Sequence, residues 1–98
     1  MSSHKLRFSI LAQGDIDDIL AYTLENWGRR QLVAYKSKID AALNAIAQNP
    51  NIGRTKHKLL VYAAGKHLIY YRIEAATVYV VRILHERMDA AHHLDDLA

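Results

Sequence analysis

The apolar positions change their period along the chain. From His4 to Phe8 they alternate, with Leu6 and Phe8 on one side and Lys5 and Arg7 on the other, which predicts a short strand. After Ser9 the spacing becomes three and four. Ile16, Ile19, Leu20, Thr23, Leu24 and Trp27 then form one apolar stripe of a helix. Ser9 suits the N-cap of that helix, and Gly28 suits a left-handed stop. The same spacing resumes over 29–48 through Leu32, Tyr35, Ile39, Ala42, Leu43 and Ile46. It predicts a second helix of roughly 30 Å. With so short a connection at Gly28, the two helices must fold back as an antiparallel hairpin. Asn49-Pro50-Asn51 ends the second one, because proline disfavours helical geometry at the residue before it.

Beyond Pro50 the pattern turns β-like. Residues 52–58 read as a polar loop. Leu59 to Ala63 reads as a strand, and Gly65 breaks it. His67 to Ile73 and Thr77 to Leu84, rich in Ile, Val and Tyr, read as an antiparallel hairpin around Ala75-Ala76. A short final helical turn is expected near Asp89. The order is β-α-α-β-β-β, an α+β fold. Its helix hairpin covers one face of a small antiparallel sheet and leaves the other face partly open. Arg72 and Arg82 lie inside the hairpin strands. A three-residue connection places them on one sheet face, and a two-residue connection places them on opposite faces. Each is either a structural arginine paired with a carboxylate such as Glu86 or Asp18, or part of an open basic face with His85 and Arg87.

Composition narrows the classes. The 98 residues are 51% hydrophobic with a net charge of +3, which excludes a disordered chain. The absence of cysteine excludes a disulfide scaffold and a cysteine zinc site. No apolar run approaches the ~18 residues of a membrane span. The beginning, Met1-Ser2-Ser3-His4-Lys5, has no secretory pattern, so a cytoplasmic single domain over residues 1–98 is expected.

Charge is unevenly placed. Asp15, Asp17, Asp18, Glu25 and Asp40 form one acidic block; Glu74, Glu86, Asp89, Asp95 and Asp96 form the other. Between Ala41 and Ile73 no residue is acidic, while Arg54, Lys56, Lys58, Lys66 and Arg72 are basic. Such a stretch attracts an anionic partner, either nucleic acid or an acidic protein segment. Asp15, Asp17 and Asp18 read as a solvated helix face favoured by the dipole.

Candidate chemistry is sparse. His85-Glu86-Arg87-Met88-Asp89 ends in Asp where a zinc-protease motif needs a second His, and it follows a strand where that motif needs a helix. His92-His93 has no third ligand in view. The four glycines make no phosphate loop. Neither a metal nor a cofactor is expected. The large aromatics Tyr22, Trp27, Tyr35, Tyr62, Tyr70, Tyr71 and Tyr79 are many for so small a core, so some should be exposed as interface anchors.

Several segments together resemble the ParE branch of the RelE/ParE toxin superfamily. They are Asp15-Ile16-Asp17-Asp18-Ile19 with Tyr22 and Trp27-Gly28, then Asn49-Pro50-Asn51-Ile52-Gly53-Arg54, then Gly65-Lys66-His67-Leu68-Ile69-Tyr70-Tyr71-Arg72-Ile73. Most specific is Val81-Arg82-Ile83-Leu84-His85-Glu86-Arg87-Met88-Asp89, followed by His93-Leu94. The resemblance spans nearly the whole chain and implies the β-α-α-β-β-β fold. It implies a toxin of a bacterial toxin–antitoxin operon that inhibits DNA gyrase and is not itself an enzyme. Target contact would fall on Arg82, His85, Arg87, Met88 and Asp89. It also implies neutralisation by a ParD-like antitoxin, whose C-terminal segment lays a helix beside the hairpin and a strand along the sheet. The antitoxin contact would fall on Ile19, Tyr22, Trp27, Tyr35 and Ile39, with Arg54 and Arg72 as charge partners. No membrane contact and no direct sequence-specific nucleic-acid binding are expected. The RelE branch, which cuts messenger RNA on the ribosome, is the alternative, with Arg72, Arg82 and His85 as its catalytic set. A third reading is an antitoxin-binding module without toxicity. Two positions depart from the ParE pattern. Ala90 stands where proline is usual, and Leu60-Val61 occupies a strand that often carries arginine.

Overall fold

The computed structural model describes residues 3–94. Strand β1 (Lys5–Phe8) leads into helices α1 (Ile10–Trp27) and α2 (Arg29–Gln48). Ser9 caps α1, its hydroxyl accepting from the Ala12 N–H at 2.9 Å. Gly28, at φ 87°, is the whole connection between the helices, a backbone angle that glycine reaches without steric cost. Four strands follow: β2 (Arg54–Lys56), β3 (Leu59–Ala64), β4 (His67–Glu74) and β5 (Thr77–His85). A short helix α3 (Ala90–Leu94) comes last among the described residues. Asp95 and Asp96 of the second acidic block lie outside them.

The sheet order is β1-β5-β4-β3-β2. Two features differ from the sequence reading. First, the sheet is mixed. β1 runs parallel to β5, Lys5 opposite Thr77 and Phe8 opposite Val80, while the other neighbours are antiparallel. A parallel pair needs a long crossover, and the helix hairpin lies within it. Second, the stretch 52–58, read as a polar loop, contains the edge strand β2, with Arg54 opposite Val61 and Lys56 opposite Leu59, and a 3₁₀ turn (Pro50–Ile52) leads into it.

The main core lies between the helices and the sheet. Ala12, Ile39, Leu43 and Ile46 pack on Ile69, Tyr71, Val78, Val80 and Ile83. The opposite sheet face, expected to be partly open, carries a second core of Leu59, Val61, Tyr70, Val81 and Leu84, capped by Leu94 of α3. The C-terminal helical turn therefore closes the face that the hairpin does not reach.

The β4–β5 connection is two residues, Ala75-Ala76, with Glu74 opposite Thr77. By itself this would put Arg72 and Arg82 on opposite faces. A bulge intervenes: Tyr71 opposes Val80 and Tyr70 opposes Arg82, so Val81 is an extra residue. The bulge restores the parity, and by register Arg72 and Arg82 start from the same face.

Candidate functional site

Arg82 is not a free cation. β1 pairs only with Thr77–Val80, so the far half of β5 has no strand on that side. Asp15 of α1 fills the place. It accepts from Arg82 Nε at 2.8 Å, from Arg82 Nη2 at 2.9 Å and from the Ile83 backbone N–H at 2.9 Å. Both side chains are largely buried, 14% and 13% exposed. The hydrogen bonds to Asp15 push the Arg82 pKa up. This corrects two expectations. Asp15 is not part of a solvated face, and the carboxylate partner of Arg82 is neither Glu86 nor Asp18.

Arg72 stands elsewhere. Its Nε donates to Glu74 at 2.6 Å, and its guanidinium carbon lies 4.6 Å from the Tyr79 ring centroid. Arg72 opposes Tyr79, whereas His85 opposes His67, six residues further along β5. At ~3.3 Å per residue, Arg72 and His85 are roughly 20 Å apart along the sheet. The fold thus does not bring Arg72, Arg82 and His85 together around one point.

At the His85 end a cleft of about 380 Å³ opens between the helix hairpin and the sheet. Its floor is built from facing strand ends. The β3–β4 turn, Gly65-Lys66, has Gly65 at φ 61°. A Cβ there would lie 2.8 Å from the Tyr35 ring, so only glycine lets α2 approach this closely. The Tyr35 hydroxyl accepts from the Lys66 N–H at 3.0 Å and meets His67 Nδ1 at 2.5 Å. The His67 and His85 rings stand edge to face, centroids 5.2 Å apart. His85 Nδ1 accepts from the Arg87 N–H. Burial, then the neighbouring His85, hold the His67 pKa below the ordinary histidine value; Asp15 and Glu86 act against them. Burial raises the pKa of Tyr35. The outer rim is aromatic: Tyr22 is 62% and Trp27 67% exposed. Arg87, Met88 and Asp89 follow on the surface beside this end of β5.

The residues expected to meet an antitoxin are spread unevenly. Tyr22 and Trp27 are exposed, and Ile19 and Tyr35 are half-buried. Ile39 is buried in the main core and offers no surface. Arg54 projects from the edge strand β2, on the far side of the sheet from β1. The sequence reading passed over a second apolar surface. Leu20, Ala21, Leu24, Leu32 and Val33 line an open groove between the helices, flanked by Lys36 and Asp40. Its signal lay in Val33, which falls off the α2 core stripe and is exposed. Also missed was the His67–His85 pair, which only the β4–β5 register reveals. Among the described residues, no cluster of three His, Cys, Asp or Glu could hold a metal ion, and no helix is long and apolar enough to cross a membrane.

Known proteins resemble this chain closely. The family profile "ParE toxin of type II toxin-antitoxin system, parDE" matches residues 6–90. Toxin ParE1 of Caulobacter vibrioides is 34% identical over 92 residues, covering 90% of this chain and 95% of that protein. Toxin ParE1 of Mycobacterium tuberculosis is 35% identical over 99 aligned positions, covering 96% of this chain and 100% of that one. Among solved structures, the chromosomal ParDE system from P. aeruginosa superposes with a TM-score of 0.72 at 15% identity, covering 85% of this chain and 96% of that one. The RelBE2 toxin–antitoxin complex of M. tuberculosis superposes with a TM-score of 0.61 at 20% identity, covering 87% and 93%. These last two matches share the mixed helix-and-sheet fold. With the profile spanning most of the chain and the relatives matching nearly end to end, the protein belongs to the ParE toxin family of type II toxin–antitoxin systems.

Proposed function

We propose that this ParE-type toxin inhibits DNA gyrase without catalysing a reaction, and that a cognate ParD-like antitoxin neutralises it by direct binding. The observation that carries the non-enzymatic part is the Asp15–Arg82 pair. A nuclease of the alternative kind needs free cations around the scissile phosphate. Here the Arg82 guanidinium donates twice to a carboxylate, and Arg72 lies at the other end of the strands. That leaves the exposed run Arg87-Met88-Asp89 with His85 as the surface offered to a target. The antitoxin would lay an amphipathic helix on the apolar groove of Leu20, Leu24, Leu32 and Val33, reaching over Tyr22 and Trp27. An acidic extended segment would pair with the open edge of β2, where Arg54 and Lys56 supply opposite charge. A cytoplasmic site of action follows from a gyrase target.

Expression without antitoxin tests the reading. The expected result is growth arrest with relaxed plasmid DNA and intact transcripts. Cleaved ribosome-bound transcripts with normal plasmid topology would instead assign the chain to the nuclease branch. Unimpaired growth, with antitoxin binding retained, would leave only a binding module.

A further inference from the structure

The cleft at the His85 end brings Lys66 and His67, which neither the target surface nor the antitoxin contact uses, together with His85, Tyr22 and Trp27. Lys66, His67 and His85 all line it. His85 Nδ1 accepts from a backbone N–H, so the proton of the neutral ring sits on Nε2. The Tyr35 hydroxyl has one proton and two acceptors in reach, His67 Nδ1 at 2.5 Å and the Ala64 carbonyl at 3.2 Å. Either way Nδ1 is engaged by the Tyr35 hydroxyl, which leaves Nε2 as the remaining polar atom of the His67 ring. Neither Nε2 has a partner among the described residues. The two imidazole rings share the lining of the cleft with Lys66. Of the two carboxylates that act on His67, Asp15 is already taken up by Arg82. Above this anion-seeking floor stand Trp27 and Tyr22, two exposed aromatic faces on α1. Gln31 adds an amide able both to donate and to accept. The volume, about 380 Å³, is that of a small-ligand site.

The geometry points to a binding site for a nucleoside monophosphate unit, its phosphate on Lys66, His67 and His85 and its base stacked on Trp27 and Tyr22. Stacking on exposed aromatics tolerates any base, so the site reads the nucleotide class and not a sequence. The unit can come from a free nucleotide or from the phosphorylated end of an unpaired strand, because both present the same base and phosphate. Glu86 opposes the anion. It follows His85 in the chain, its backbone N–H is bonded to the Lys66 carbonyl, and its side chain is exposed.

Trp27 is the only tryptophan, so its fluorescence reports the cleft directly. The purified full chain is titrated with adenosine 5′-monophosphate, adenosine, inorganic phosphate and a 5′-phosphorylated oligouridylate. Saturable quenching by the monophosphate is expected, with adenosine weaker by about tenfold, the loss of one good charge-assisted contact. Inorganic phosphate should not quench but should displace the monophosphate. Lys66→Ala and Glu86→Gln change exposed side chains and leave the fold intact. The first should weaken binding several-fold and the second should tighten it. Tighter binding of the oligonucleotide than of the monophosphate identifies a strand end as the source; equal binding identifies the free nucleotide. Absence of saturable quenching at millimolar monophosphate, or equal affinity for adenosine and its monophosphate with neither variant shifting it, would overturn the site.

Discussion

Single side chains hold distant parts of this chain together. The buried Tyr71 hydroxyl accepts from the Gly53 N–H at 3.1 Å and donates to the Pro50 carbonyl at 2.6 Å, fastening the turn after α2 to the middle of the sheet. Tyr71→Phe keeps the ring and orphans both backbone groups. It should lower stability by about 1–3 kcal/mol, read as a shift in the urea midpoint; an unchanged midpoint would show that water satisfies them. Asp15→Ala removes three hydrogen bonds and strands a largely buried guanidinium. A loss of about 3 kcal/mol is expected, and the Asp15→Ala/Arg82→Ala double variant should recover part of it. His67 adds a pH dependence. Its folded pKa lies below the ordinary value of ~6.5, so the unfolded chain binds the proton more readily. The stability it contributes is complete above pH ~6.5 and is lost as the pH falls through the folded value. His67→Gln should flatten that part of the pH–stability curve, and an unaltered slope would contradict the assignment. None of these partners was legible in the sequence. Asp15 meets Arg82 from 67 positions away, and three aspartates on one helix gave no reason to single out one of them.

The elements were more legible than their partners. Both helices follow from the three-and-four spacing, and Gly28 marks the break because a single residue must turn the chain. The β3, β4 and β5 segments follow from their β-branched and aromatic runs. β2 did not, since Arg54-Thr55-Lys56 is polar throughout and forms only because β3 offers an edge. The parallel seat of β1 and the bulge at Val81 are consequences of assembly, invisible to local patterning. Of the candidate site, Tyr22, Trp27 and His85 were named from the chain, whereas the groove between the helices and the His67–His85 pair were not. That groove permits a test at this scale. Val33→Asp places a charge on an exposed apolar wall and should leave folding within about 0.5 kcal/mol. It should weaken antitoxin binding by about tenfold or more, since burying an unpaired carboxylate is costly. Unchanged affinity by calorimetry would move the antitoxin helix off the groove.

At the scale of the molecule, the sheet carries a core on each face, one closed by the hairpin and one by α3. The chain between His85 and Leu94 is thus tied to the sheet at both ends, and Arg87-Met88-Asp89 is displayed between them. This display, together with the locked Arg82, favours a protein that acts by contact. The most direct measurement is a supercoiling assay with purified gyrase and the toxin freed of antitoxin. Loss of supercoiling in proportion to toxin is expected, abolished by Arg87→Ala/Met88→Ala and reversed by adding antitoxin. Undiminished supercoiling at a large molar excess of folded toxin would contradict gyrase as the target.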